Sequence, residues 1–206
     1  MSYLNRQLAA ALVLAAGVGL VSCNSDKKTE TAAQPSANRT VTMNEGEAGG
    51  VVEDTFTTHA IVSDVDKSTR KVSLKGSDGN TTTFTAGPQI KNFDQIKNGD
   101  KVTATVTERL VVFVRSGSED PTISHGKALA TAPKGAKPGA MVAEMYEITA
   151  RVTAIDTAKR AATLSFGEGQ SRTVQVRPDV DLSRYKVGDT VVIRVSATLS
   201  VLVETP

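Results

Sequence analysis

The sequence predicts an all-β protein, built as two tandem small antiparallel β-barrels of the OB-like or SH3-like kind. Three observations carry this. From Phe56 onward apolar and polar residues alternate, β-branched residues are dense, and Gly or Asp-Gly interrupts at short intervals. No stretch has the period of a long amphipathic helix. The third observation is an internal repeat. Thr58–Asp64 (THAIVSD) matches Ile148–Ala154 (ITARVTA). Asp66, Arg70, Leu74, Gly79, Thr83 and Pro88 recur as Asp156, Arg160, Leu164, Gly169, Thr173 and Pro178, at an offset of 90. After one deletion the offset is 89, so that Gly99-Asp100 recurs as Gly188-Asp189, Val102 as Val191 and Leu110 as Leu199. Matches in this order with a single gap indicate duplication of a unit of about 60 residues, near the lower size for a folding domain.

The chain opens with a short stretch whose only charge is Arg6, followed by an unbroken apolar run from Leu8 to Val21. That run is too short to span a bilayer as a helix, which takes about 20 apolar residues. It fits the apolar core of a secretory signal, and residues 1–22 are therefore read as a cleaved signal peptide. The exit, Leu20-Val21-Ser22-Cys23, resembles the lipobox of bacterial lipoproteins. The resemblance implies cleavage before Cys23, diacylglycerol on its thiol, and palmitate-type acylation of its amine in many bacteria. The alternative is an ordinary signal cut near Ala15-Ala16-Gly17, which leaves Cys23 a free thiol. Cys23 is the only cysteine, and a lone thiol is unusual in an oxidising compartment. Lipidation accounts for it. Asn24 follows the cysteine, where Asp resembles an inner-membrane retention signal. The expectation in a Gram-negative envelope is thus an outer-membrane anchor facing the periplasm.

Residues 23–54 are polar, rich in Thr, Ala, Ser, Glu and Gly, and read as the lipidated cysteine and a flexible tether. The first barrel repeat is expected over 55–115. Thr57–Val65, Lys71–Lys75 and Thr81–Thr85 are its first strands, with Asp78-Gly79 as a tight hairpin because that dipeptide tolerates positive φ. A loop with a short helical turn over Ile90–Lys97 buries Phe93 and Ile96. A long strand Lys101–Val114 then bends or bulges near Glu108-Arg109. Residues 116–144, with Ala132-Pro-Lys-Gly-Ala-Lys-Pro-Gly139, read as a Pro/Gly-rich linker or loop, and 145–206 as the second repeat. An isolated sheet of this size exposes an apolar face and raw edges, and closure into a barrel removes both. Whether the last strand of each unit completes the other's barrel is left open by the sequence.

The pattern Val62-x-x-x-Asp66-x-x-x-Arg70-x-x-x-Leu74, then Gly79, Pro88 and Gly99-Asp100, resembles the small repeated β-barrel domains of unknown function in exported bacterial proteins. It spans roughly residues 56–204. Its motifs are turn and core positions, so it speaks to fold, and it brings no catalytic residue.

Function classes narrow by chemistry. The chain without its signal loses only Arg6 from a formal charge of +2, so no basic excess argues for nucleic acid. Arg151, Arg172, Arg177, Arg184 and Arg194 could form a stripe, but acidic residues are nearly as numerous there, and Trp is absent. The two histidines, His59 and His125, lack metal-ligand spacing. Met141 and Met145 flank Glu144, and Met43 lies in the tether. Small periplasmic β-barrels that carry copper use Met and His, which makes metal handling the alternative. The plainer reading has the two methionines plugging a gap at the start of the second barrel. Asp120, Ser124 and His125 are sequence neighbours in a loop, which does not orient a base. Asp66/Asp156 and Asp100/Asp189 sit at turns, where Asp bonds backbone N–H groups. The resulting expectation is no catalytic residue, no metal and no cofactor, with Cys23 as the lipidation site. The body is a non-enzymatic binding or structural module contacting another envelope component, protein or glycan.

Overall fold

The computed structural model describes residues 31–206. Cys23 and the signal segment lie outside the described residues. Ten antiparallel strands form one sheet: β1 Ser36–Thr42, β2 Gly49–Asp66, β3 Lys71–Gly76, β4 Thr81–Thr85, β5 Lys101–Arg115, β6 Ile123–Thr131, β7 Gly139–Asp156, β8 Ala161–Gly167, β9 Gln170–Gln175 and β10 Thr190–Glu204. Among the described residues the only helical pieces are the 3-10 turns Phe93–Gln95 and Leu182–Arg184. The fold is therefore all-β, as predicted. It is not two barrels. Pairing runs β4-β3-β2-β5-β10-β7-β8-β9 and does not close on itself, with β1 added to β2 and β6 to β7.

The duplication appears as an internal two-fold relation. β5 and β10 pair antiparallel along their whole length, from Lys101↔Glu204 to Arg115↔Thr190. At the centre Glu108 faces Ala197, its own repeat counterpart. Flanking registers repeat as well. Ala60↔Val102 recurs as Ala150↔Val191, and Val62↔Leu74 as Val152↔Leu164. A β-bulge interrupts β2 between Val62 and Asp64, and β7 between Val152 and Ala154. The extra residues, Ser63 and Thr153, donate their hydroxyls to Ser73 O and Thr163 O at 3.0 and 3.1 Å. In β5 the register stays continuous through Glu108 and Arg109, where a bend or bulge is expected from the sequence, so no bulge lies there.

Two further strands extend the repeat beyond its predicted bounds. β1 lies in the segment read as tether, and β6 in the segment read as linker. Their cross-strand ion pairs are equivalent: Arg39 with Asp54 at 3.3 Å, Lys127 with Glu144 at 2.8 Å.

One face of the sheet carries two apolar cores at opposite ends. The first gathers Val62, Val72, Phe93, Ile96 and Val102, and is completed by Val201 and Val203 of β10. The second gathers Ala150, Val152, Leu164 and Val191, and is completed by Val112 and Val114 of β5. Each repeat thus closes the other's core. At about 1.5–3 kcal/mol per fully buried Val, Leu or Phe, neither core is large without the borrowed strand end.

The repeated Arg of the D-x-x-x-R turn clamps each lobe. Arg70 and Arg160 take positive φ, 57° and 49°. Their carbonyls accept Ala86 N–H and Val176 N–H at 2.8 Å. The Arg70 guanidinium donates to the carbonyls of Ala86, Gly87 and Ile90, and lies 4.6 Å from the Phe93 ring centroid. Arg160 donates to the carbonyls of Arg177 and Val180, both at 2.7 Å. These charge-assisted bonds hold the loop that delivers the 3-10 turn to the core. Arg70→Ala is expected to lower unfolding free energy by about 2–3 kcal/mol, through orphaned carbonyls and lost packing. Arg160→Ala, which removes fewer bonds and no ring contact, costs less. Urea denaturation of both variants checks the order.

A candidate ligand cavity in the second lobe

The two lobes are built alike and filled differently. Phe93 is nearly wholly buried and plugs the first core. Its repeat counterpart is Leu182. Val72 is matched by Ala162, and Ile90 by Val180. These smaller side chains all line a cavity of about 390 Å³ in the second lobe, whose walls also include Val112, Val152 and Ile193. The volume lies within the range of small-molecule sites, and such sites are mostly apolar with few polar groups.

Polar groups gather at its rim. The β1–β2 loop, residues 43–48, crosses from the first repeat to cover this lobe. Met43, Ala48 and Gly50 from that side line the cavity. Arg177 fixes the loop: its guanidinium donates to Gly49 O at 2.5 Å and to Glu47 O at 3.0 Å, and grips Asp179 through two bonds of 3.0 Å. The Arg177 hydrogen bonds hold the Asp179 carboxyl below the ordinary carboxylate range. Asp181 N donates to Gly46 O at 3.1 Å, and the Tyr185 hydroxyl accepts from Ala48 N at 2.7 Å. Asp181 caps the second 3-10 turn by accepting Ser183 N–H at 3.0 Å, and the Ser183 hydroxyl, which donates to the same oxygen at 2.7 Å, is the main cause of its lowered pKa. Gly49 has φ of +104°, and an added Cβ would sit 2.1 Å from Val112 O, so glycine is required where the loop enters β2.

The residues singled out by sequence scatter. His125 lies on β6, not in a linker loop, and stacks on Tyr146 with ring centroids 4.4 Å apart. Ser124 is its neighbour on the strand and so points to the opposite face. Asp120 pairs with Arg151 at 2.7 Å. These three do not form a triad. Met141 and Met145 lie on β7, on the face away from the cores, and each is about two-fifths exposed. They plug no gap, and four residues along a strand set them about 13 Å apart. His59 shares their face but lies three strands away, roughly 14 Å, with Nδ1 3.1 Å from Thr103 Oγ1. Among the described residues no group of three or more His, Cys, Asp or Glu is placed to hold a metal. Of the five arginines of the candidate stripe, Arg151, Arg177, Arg184 and Arg194 pair with Asp120, Asp179, Glu47 and Glu147, and Arg172 lies on the exposed β9.

Asp66 and Asp156 cap their turns. Asp66 accepts the hydroxyls and N–H groups of Ser68 and Thr69, which hold its pKa far below 3.8, the Ser68 hydroxyl most of all. Asp156 accepts Lys159 N–H at 2.9 Å, the main cause of its lowered pKa. The cavity itself was not named from sequence, although Phe93/Leu182 and Val72/Ala162 were available as mismatches within the repeat. No protein-family profile matches this chain, nor does any curated protein or solved structure.

Proposed function

We propose that the protein is a lipid-anchored component of the bacterial cell envelope, held through Cys23, whose body is a non-enzymatic binding module. Its ligand is an apolar group of an envelope component, received in the second lobe. The observation that carries this reading is the cavity of about 390 Å³, walled by apolar side chains, in one of two lobes with the same registers. The first lobe acts as an internal control, because Phe93 fills it. The Cys23 anchor rests on the lipobox-like Leu20-Val21-Ser22-Cys23 and the lack of any other cysteine.

Refilling the cavity tests the binding reading. Leu182→Phe combined with Ala162→Val restores the first lobe's side chains at those two positions. Titration of the full chain with a fluorescent long-chain fatty acid is expected to show saturable binding, weakened at least about tenfold in the double variant, the cost of losing more than 1.4 kcal/mol. Unchanged affinity would sink the cavity reading. The anchor is checked separately by metabolic labelling with palmitate. Label is expected on the native chain and lost with Cys23→Ser, together with release from the membrane fraction.

A further inference from the structure

Each repeat opens its last strand with a buried aspartate, Asp100 in the first and Asp189 in the second, and each is at least 98% buried. Their backbone settings coincide. Val62 N donates to Asp100 O at 2.9 Å, and Val152 N to Asp189 O at 2.8 Å. Lys97 N donates to Asp100 Oδ2 at 2.9 Å, and Lys186 N to Asp189 Oδ2 at 3.0 Å.

The outer side of the two carboxylates differs. Lys137, from the loop between β6 and β7 of the second repeat, crosses to the first lobe. Its ammonium sits 2.8 and 2.7 Å from the two oxygens of Asp100, and donates also to Gln95 O at 3.1 Å. Three acceptors therefore surround an ammonium that has three donors. In the second lobe, Asp189 Oδ1 is buried and finds no hydrogen-bond partner among the described residues. The residue that matches Lys137 is Glu47, two positions before Gly49 as Lys137 is two before Gly139. Glu47 cannot neutralise Asp189; its carboxylate lies 3.6 Å from Arg184 at the surface. No ion pair joins Arg184 to Asp189 among the described residues. Asp189, Glu47, Ser116, Arg184 and Tyr185 line a cavity of about 250 Å³.

A buried carboxylate without a positive partner is disfavoured, and the first lobe supplies that partner from within the chain. We infer that the cavity at Asp189 is a binding site for a primary ammonium group, brought by a soluble amine or by the lysine side chain of a partner. Asp189 accepts through Oδ1, and Arg184, the repeat counterpart of Gln95, offers its carbonyl as a further acceptor. Glu47 and Arg184, paired at 3.6 Å, both line the cavity, which leaves the Asp189 carboxylate as its uncompensated charge. The site is distinct from the apolar cavity, although Tyr185 lines both, and refilling that cavity at Leu182 and Ala162 leaves this carboxylate in place.

The test titrates the full chain with 1,5-diaminopentane and with a short lysine-containing peptide, following thermal stability and NMR shifts of the Asp189 region. Saturable responses to a primary amine are expected, with none to tetramethylammonium, which has no N–H donor. The tighter of the two ligands identifies the source. Glu47→Lys carries the first lobe's solution into the second. It is expected to raise the melting temperature without ligand and to weaken amine binding at least tenfold, whereas Glu47→Gln keeps a measurable response. No saturable amine response, an equal response to tetramethylammonium, sodium or calcium, or full amine binding in Glu47→Lys would each overturn the assignment.

Discussion

The pairing of β5 with β10 is the constraint on which the rest of the molecule depends. Fifteen residue pairs run from Lys101↔Glu204 to Arg115↔Thr190, centred where Glu108 meets Ala197. Antiparallel pairing about that centre sends the end of each strand into the other repeat's core. Val203 reaches the first core and Val114 the second. A unit of this size alone holds a marginal core. Exchange of strand ends enlarges both cores and buries two edges without barrel closure, which is how the fold departs from two barrels in tandem.

The same geometry brings the hairpin loops across. The loop 43–48 of the first repeat lies over the second lobe, and Lys137 of the second repeat reaches Asp100 in the first. Duplication gives two equal frames, and a few side chains then make them unequal. Leu182 in place of Phe93 and Ala162 in place of Val72 put smaller side chains on the wall of the second lobe's cavity. Lys137 against Glu47 decides which buried aspartate is neutralised by the chain itself. Both departures from symmetry fall in the second lobe, and Tyr185 borders both cavities there.

Much of the fold was legible in sequence because it left a burial pattern. The alternation over Thr57–Val65, the Asp78-Gly79 hairpin and the burial of Phe93 and Ile96 all follow from apolar spacing and turn chemistry. β1 was silent because every residue of Ser36–Thr42 is exposed, so pairing with β2 leaves no alternation to read. β6 is nearly as exposed. The bulges at Ser63 and Thr153 were silent because they involve ordinary strand residues, whereas Glu108-Arg109 breaks an apolar run without shifting the register. The exchange of strand ends was invisible to local pattern, since β5 reads the same whichever core its end enters. The cavity was hidden for a related reason: Leu182 and Ala162 are normal core residues, and only their comparison with Phe93 and Val72 shows missing volume.

The central claim is that β5 and β10 make the two lobes one cooperative body. Native-state hydrogen exchange measures this most directly, through the slowest amides of each lobe and those of the central pair. Shared strands predict that Val62, Val152 and the amides along β5 and β10 open with one common free energy. Separate opening energies for the two lobes, differing by more than about 1 kcal/mol with the central pair exchanging early, would contradict the account.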